Sequence, residues 1–154
     1  MKIKNNLQKN RFMMIFTDEL YNLQNDIYSV TLPSLTLSSV EVNAYGGTKY
    51  KKSGDDMDFG QLIISIKIDE DLSNLMKFYG WAFELFNPET GEKKEKTMPG
   101  TLQIYGSNDK VIKEIDFVNL RIASIPDVTF ESNIQYPDFE VAEIIFDFDR
   151  FSIK

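Results

Sequence analysis

The side chains best placed to do chemistry together in this chain are carboxylates. Asp147-x-Asp149, if both residues lie on one strand, presents two acids on one face, as a magnesium site or a glycosidase pair requires. No third ligand and no substrate cleft accompanies them, so acids turned to solvent account for the pair more simply. Asp56-x-Asp58-x-Gly60 has the opening of a calcium loop but lacks its third ligand, the closing bidentate Glu and the flanking helices. Gly46-Gly47-Thr48-Lys49 has the residue types of a phosphate loop without the spacing G-x-x-x-x-G-K-[ST] or a helix to open. Lys49, Lys51 and Lys52 alternate with Tyr45 and Tyr50 in a small basic patch. Nucleic acid is one partner for such a patch. Acids on a neighbouring subunit are the better one, because residues 126–154 alone carry seven acids against Arg150 and Lys154.

What is missing narrows the chemistry further. The 154 residues include no cysteine and no histidine. That removes disulfides, thiolate metal sites, Cys nucleophiles, the Ser-His-Asp triad and the commonest general base near neutral pH. Chemistry built on carboxylates, Lys or Tyr remains open, but the expectation is a protein that is not an enzyme and holds no cofactor and no metal. A formal charge of −7 opposes an extended nucleic-acid footprint, which needs clustered Lys and Arg. Twelve Phe and seven Tyr supply a substantial core, and a domain of about 150 residues hides roughly 70% of its unfolded surface without stapling. No apolar run approaches 18 residues and the start MKIKNNLQKNRF has no hydrophobic signal region, so the expected default is a soluble intracellular protein without a membrane anchor.

The elements that must position these residues read mostly as strands. Residues 1–10 are expected to form a loose arm, with one domain over 11–154. Arg11 to Phe16 reads as a first strand, followed by a turn around Asp18 to Asp26. Tyr28 to Val42 reads as one long strand whose apolar phase slips at Ser38-Ser39, as a bulge would produce, and Pro33 places one end at a sheet edge or bend. Leu62, Ile64, Ile66 and Ile68 alternate with Gln61, Ser65 and Lys67 in a half-buried strand. Between these two strands, Asn43 to Gly60 holds four glycines, three lysines and three aspartates and is expected to be a long polar loop in contact with a partner.

Asp69-Glu70-Asp71 suits a helix N-terminus, with Asp71 or Ser73 as cap. Leu72, Leu75, Met76, Tyr79, Ala82, Phe83 and Phe86 then recur at helical spacing, and Phe78, Trp81 and Leu85 add a second apolar stripe. A surface helix of a monomer needs one buried stripe. The second implies either a deeply buried helix or a contact with another subunit. Asn87-Pro88 ends the helix and a charged loop runs to Gly100. Thr101 to Tyr105 and Val111 to Val118 flank the turn Gly106-Ser107-Asn108-Asp109, Leu120 to Ile125 continues the sheet, and Phe139 to Phe148 is a last strand with Ala142, Ile144, Phe146 and Phe148 on the core face. Several strands, one helix and several more strands predict a mainly β chain, an antiparallel sandwich or barrel with a single packed helix.

The order of these pieces resembles the tail tube protein family of contractile bacteriophages, related in fold to the secreted ring protein of type VI secretion. Asn10-Arg11-Phe12 opening a strand, Leu32-Pro33-Ser34 leading to Val40-Glu41-Val42, and Tyr45-Gly46-Gly47-Thr48-Lys49 running to Gly54-Asp55 are similar to the family's segments. So are Asp58-Phe59 at the next strand, Ile68-Asp69-Glu70-Asp71 before a helix with an internal Trp81, and the aromatic close from Phe139 to Phe151. Asp56 stands where the family usually carries Arg, and Gln61-Leu62 where a Trp is common.

The resemblance implies a tail-tube-like subunit forming hexameric rings, whose inner sheets join into a lumen wall and which stack into a conduit for DNA. In that setting Tyr45, Gly46, Gly47, Lys49, Tyr50, Lys51, Lys52, Asp55 and Asp56, together with Phe78, Trp81 and Leu85, are expected at subunit interfaces, and Glu143, Asp147 and Asp149 on the lumen. Expected partners are further copies of the chain and sheath, baseplate or tail-terminator proteins. DNA passes without specific binding, and the expected location is the virion tail, assembled in the host cytoplasm. The loss of the Arg at Asp56 leaves room for a specialised paralogue such as a tube initiator of the baseplate, and a type VI secretion-like ring protein is a further alternative in the same class. A ligand- or carbohydrate-binding β-sandwich module is the alternative of a different class, suggested by the aromatic content.

Overall fold

Alternation of apolar and polar residues carries most of the chain into strands. The computed structural model describes residues 7–16, 26–132 and 139–154. Among the described residues run β1 (Phe12–Phe16), β2 (Ile27–Thr31), β3 (Leu35–Asn43), β4 (Lys49–Phe59), β5 (Leu62–Lys67), α1 (Ser73–Leu85), β6 (Met98–Tyr105), β7 (Val111–Ser124), β8 (Val141–Asp147) and β9 (Arg150–Ile153). One antiparallel sheet has the order β1-β6-β7-β8-β5-β2, with β9 also on β7, while β3 and β4 pair only with each other. The chain is therefore mainly β with one helix, as its alternation predicts. The turn expected around Asp18 to Asp26 lies, but for Asp26, outside the described residues, as do residues 1–6 of the expected arm.

The sheet curls onto itself. Phe16 on β1 and Phe146 on β8 are separated by two strands in the sheet order, yet their ring centroids are 5.9 Å apart. Phe78 and Trp81 of α1 close this space, with centroids 6.2 and 5.7 Å from Phe146. A second aromatic group joins Phe117, Phe148, Phe151 and Phe59. Burying each such side chain is worth about 1.5–3 kcal/mol, and the two groups join the buried aliphatic residues of β5, β6, β7 and β8 in one core.

Strand β7 makes the corner. Its first part pairs with β6 and its last residues with β8. The change comes at Asn119, which has φ 57° and sits where the β6 register shifts. Along the other side of β7, β8 and β9 lie end to end, since Asp147 faces Arg121 and Arg150 faces Val118. The expected last strand thus does not stop at Phe148: it breaks at Phe148-Asp149 and resumes as β9.

Two further expectations change. Tyr28 to Val42 is not one strand, because the chain breaks at Leu32 to Ser34 around Pro33, leaving β2 on the main sheet while β3 departs from it. Asn43 to Gly60 is not a loop. Most of it is β4, an eleven-residue strand returning along β3.

Candidate functional site: a projecting β-hairpin

Strands β3 and β4 form an arm that leaves the curled sheet at its base and pairs with nothing else among the described residues. The base is fastened where the Gly60 N–H donates to the Ser34 carbonyl at 2.7 Å and Phe59 packs on Phe148 and Phe151. The tip is a short 3-10 turn, Tyr45–Gly47, in which Gly46 and Gly47 take φ of 83° and 80°. Those values favour glycine, which explains the pair seen in the sequence. The Gly46-Gly47-Thr48-Lys49 run is therefore a hairpin tip, with the Ala44 N–H donating to the Thr48 carbonyl at 2.7 Å.

Midway, the arm has the irregularity that the serines predict, with the extra residues on the opposite strand. Leu37 faces Met57 and Ser39 faces Ser53, so Ser38 alone faces Gly54, Asp55 and Asp56. The Ser38 hydroxyl accepts from the Asp56 N–H at 3.1 Å. A Cβ on Gly54 would lie 2.3 Å from that hydroxyl, so the close approach requires glycine. Alternation along β3 then puts Leu35, Leu37 and, across from them, Met57 and Phe59 on one face near the base. Val40, Val42 and Tyr50 lie on the opposite face near the tip. Nearly all of these side chains are exposed, Tyr45 fully so.

Charge is also sorted along the arm. Lys49, Lys51 and Lys52 lie toward the tip, with Glu41 4.0 Å from Lys49, and Asp55, Asp56 and Asp58 lie toward the base. Asp56 and Asp58, read above as the start of a calcium loop, are strand residues on this exposed arm, and no three acidic, His or Cys side chains converge anywhere among the described residues.

The helix presents a different face from the one expected. Phe78 (0% exposed) and Trp81 (4%) are in the chain's own core, so neither can also meet a neighbouring subunit. Phe78 lies between Phe16 and Phe146, and the Trp81 indole N–H donates to the Lys96 carbonyl at 3.1 Å, satisfying its polar end inside the fold. Leu85 packs against the same core while remaining half-buried. Of the stripe expected to be buried, Leu75 is, but Met76, Phe83 and Phe86 are about half exposed. Asn74 sets this rotation. It is buried, its amide donates to the Lys67 carbonyl at 2.5 Å and its Oδ1 accepts from the Asp69 N–H at 3.1 Å, tying the helix start to the end of β5. Leu72 precedes the helix in a left-handed conformation without a side-chain cap, and Asp71 instead accepts from the Ser73 N–H at 3.1 Å, which lowers its pKa.

The three closing acids separate. Glu143 and Asp147 alternate with the buried Ala142, Ile144 and Phe146, so they lie on the outer face of β8. Asp147 accepts from the Gln61 amide at 3.0 Å. Asp149 has left the strand for the corner, where it accepts from Asn119 at 2.6 Å and Arg121 at 3.0 Å. These hydrogen bonds, Asn119 first, hold its carboxyl below the usual range. The Asp147-x-Asp149 pair is thus not a paired site on one strand face. The outer face also carries Lys67 and Arg121, which balance its two acids.

The high aromatic content has a structural account too, since Phe16, Phe78, Phe117, Phe146 and Phe148 are core residues rather than a sugar-stacking platform.

No sequence-family profile matches the chain, and no curated protein matches it by sequence. Solved structures do match. A chain of the anti-feeding prophage cap, a tube-terminating cap, superimposes at a TM-score of 0.75 with 14% identity, over 100% of this chain and 94% of that one. A chain of the sheath/tube terminator of an extracellular contractile injection system, in its extended state, gives 0.74 and 14% over 99% of both chains. A type six secretion system protein gives 0.55 and 11%, over 93% of this chain and 82% of that one. Matched over nearly all of its length, the chain has the tail-tube-like fold that its sequence resembles.

Proposed function

We propose that the chain is a structural, non-enzymatic subunit of the tube of a contractile injection apparatus, either a phage tail or a machine derived from one. Copies assemble into rings, hexameric by the resemblance, and the rings stack. The observation that carries this reading is an arm with exposed apolar residues and no further strand partner among the described residues, on a fold matched end to end by structures from tube assemblies. A free two-stranded hairpin is marginally stable in water, so the arm needs a surface to lie on. Sheath, baseplate and terminator proteins are the expected partners, and the virion tail, assembled in the host cytoplasm, the expected location.

In this reading the outer face of β2, β5 and β8 lines the channel, with Glu143 and Asp147 on its wall. Its mixed charge, two acids beside two bases with no basic cluster, suits a conduit that DNA crosses without binding. Interface contacts come from the arm, including Tyr45, Gly46, Gly47, Lys49, Tyr50, Lys51, Lys52, Asp55 and Asp56. The cap and baseplate structures favour a second reading, a single ring that ends or starts a tube. Negative-stain microscopy of the purified chain tests both. Stacked tubes support the tube subunit, isolated rings support the terminal ring, and a monodisperse monomer at high concentration overturns the assembly role.

A further inference from the structure

Strand β4 carries a Lys-Tyr-Lys-Lys block and an Asp-Asp-Met-Asp block separated only by Ser53 and Gly54. Toward the tip, residues 40–53 hold three lysines and Glu41, a balance of 3 − 1 = +2, whereas residues 54–59 hold three aspartates and no base, a balance of −3. The facing strand compensates the lysines only in part, through Glu41 opposite Lys51, and the aspartates not at all. β3 has no Lys or Arg, and its one acid, Glu41, is beside Lys49. Among the described residues Lys51, Lys52, Asp55, Asp56 and Asp58 form no ion pair, while elsewhere Arg11 pairs with Asp109, Lys96 with Glu84, Arg121 with Asp149 and Lys154 with Asp116. Each arm therefore holds two like-charged clusters, self-repelling within the monomer and of opposite sign to each other.

We propose that these clusters are two halves of one contact: the basic tip of one copy (Lys49, Lys51, Lys52) docks on the acidic base (Asp55, Asp56, Asp58) of a second copy. This deepens the proposed function, because it rests on the arm being an assembly element and names its register. Because Gly54, Asp55 and Asp56 together face only Ser38, the clusters are about four ladder positions apart, and copies paired this way are offset by roughly 13 Å along the arm. The contact joins different patches on its two partners, leaving the base free on the first copy and the tip free on the second. Such a contact is heterologous and propagates into a closed ring or a helical stack. The apolar side chains support the same occupant. They lie on one face at the base and on the opposite face at the tip, so one arm can be covered from both sides by different copies.

The test uses charge swaps in the full chain, followed by sedimentation velocity with circular dichroism to verify folding. Lys49→Glu/Lys51→Glu/Lys52→Glu and Asp55→Lys/Asp56→Lys/Asp58→Lys should each stay folded and fail to assemble. An equimolar mixture of the two should recover assembly, because each tip then meets a base of opposite sign. A single chain carrying all six changes should assemble alone. A swap that assembles like wild type, or a mixture and six-fold variant that both remain monomeric, overturns the pairing. Deleting Tyr45 to Gly54 separates this from the broader reading: if the deletion blocks assembly while the swaps do not, only the pairing falls, and if the deletion assembles normally, both fall.

Discussion

Asn119 and Asp149 face each other at the corner of the curled sheet, with the Asn119 amide donating to the Asp149 carboxylate at 2.6 Å. β7 changes partner at the first residue, and the β8–β9 line breaks at the second. Two strands thus bend together, and the Asn119–Asp149 hydrogen bond spans the bend beside Arg121 and the Asp149 N–H, which donates to the Val118 carbonyl at 3.0 Å.

Stability should therefore depend on pH through Asp149. Hydrogen bonds from Asn119 and then Arg121 lower its folded pKa, so the unfolded chain binds a proton more readily. The stabilisation is present above the unfolded value of about 3.9 and is lost as pH falls through the folded value. Urea midpoints measured from pH 5 to pH 2.5 should fall more steeply for wild type than for Asp149→Asn. Equal slopes would remove Asp149 from the corner's stability. Asp116, lowered by hydrogen bonds from Lys154 and Thr101, contributes in the same direction in both proteins and cancels from the comparison.

Backbone geometry gives the other side of the corner. Asn119 holds φ 57°, where an ordinary L residue pays about 1–2 kcal/mol and Asn less. Asn119→Val should lower the melting temperature by several degrees, and Asn119→Gly by less. Two equal losses in thermal denaturation would mean that the side-chain hydrogen bond, not φ, matters here.

Trp81→Ala should act as a core truncation and cost about 3–5 kcal/mol of monomer stability, because the indole packs on Phe146 and its N–H is satisfied by Lys96. Phe83→Ser, on the exposed helix face, should leave the monomer's melting temperature within a degree or two. A normal melting temperature for Trp81→Ala would return Trp81 to the intermolecular role first expected of it.

These contrasts mark how far the sequence could be read. β5 and β8 were legible because each has one face in the core, so Leu62, Ile64 and Ile66 or Ala142, Ile144 and Phe146 alternate cleanly with polar residues. The register of the helix was not. Its two stripes satisfy the same 3.6-residue period, and the choice rests on contacts distant in sequence, from Asn74 to Lys67 and from Trp81 to Lys96. β4 was missed because, apart from Phe59 at its base, it has no core to face. Without burial its Tyr50 and Met57 are scattered among charges, and a strand held by one neighbour looks like a loop. The glycines were informative about the tip and about Ser38, but their meaning depended on seeing β4. At the corner the usable signal was slight: an Asn between two strand-like runs, a residue type enriched at positive φ.

The arm's independence from the core can be tested directly. Removing Tyr45 to Gly54 and closing the gap with a short turn should leave Phe59 on Phe148 and Phe151 and keep the monomer's melting temperature. Assembly should be lost. Gly54→Val is the milder probe, because a side chain there collides with the Ser38 hydroxyl and must either turn it away from the Asp56 N–H or shift the arm. It should weaken assembly without unfolding the domain, as read by sedimentation and circular dichroism together.

The last expectation concerns the outer face of β8. Glu143 is exposed there and Asp147 accepts from Gln61, while Asp149 is committed to Arg121 and Asn119. If that face lines the channel, its charge sets how strongly the wall holds phosphate. Replacing an acid with a lysine removes a repulsion and adds a counterion-releasing contact, so Glu143→Lys/Asp147→Lys changes the balance by +4 on each subunit. Glu143 is clear of the corner and the arm, whereas Asp147 faces Arg121 and accepts from Gln61, so Glu143→Lys alone is the control in which assembly should persist unchanged. Short DNA should then bind to the assembled lysine variant and dissociate steeply as salt rises from about 50 to 200 mM, while wild-type assemblies bind little. Adding Asp149→Lys should instead destabilise the corner, visible as a lower melting temperature rather than as more DNA bound. Assembled Glu143→Lys/Asp147→Lys that binds no more DNA than wild type would take the face of β8 away from the channel.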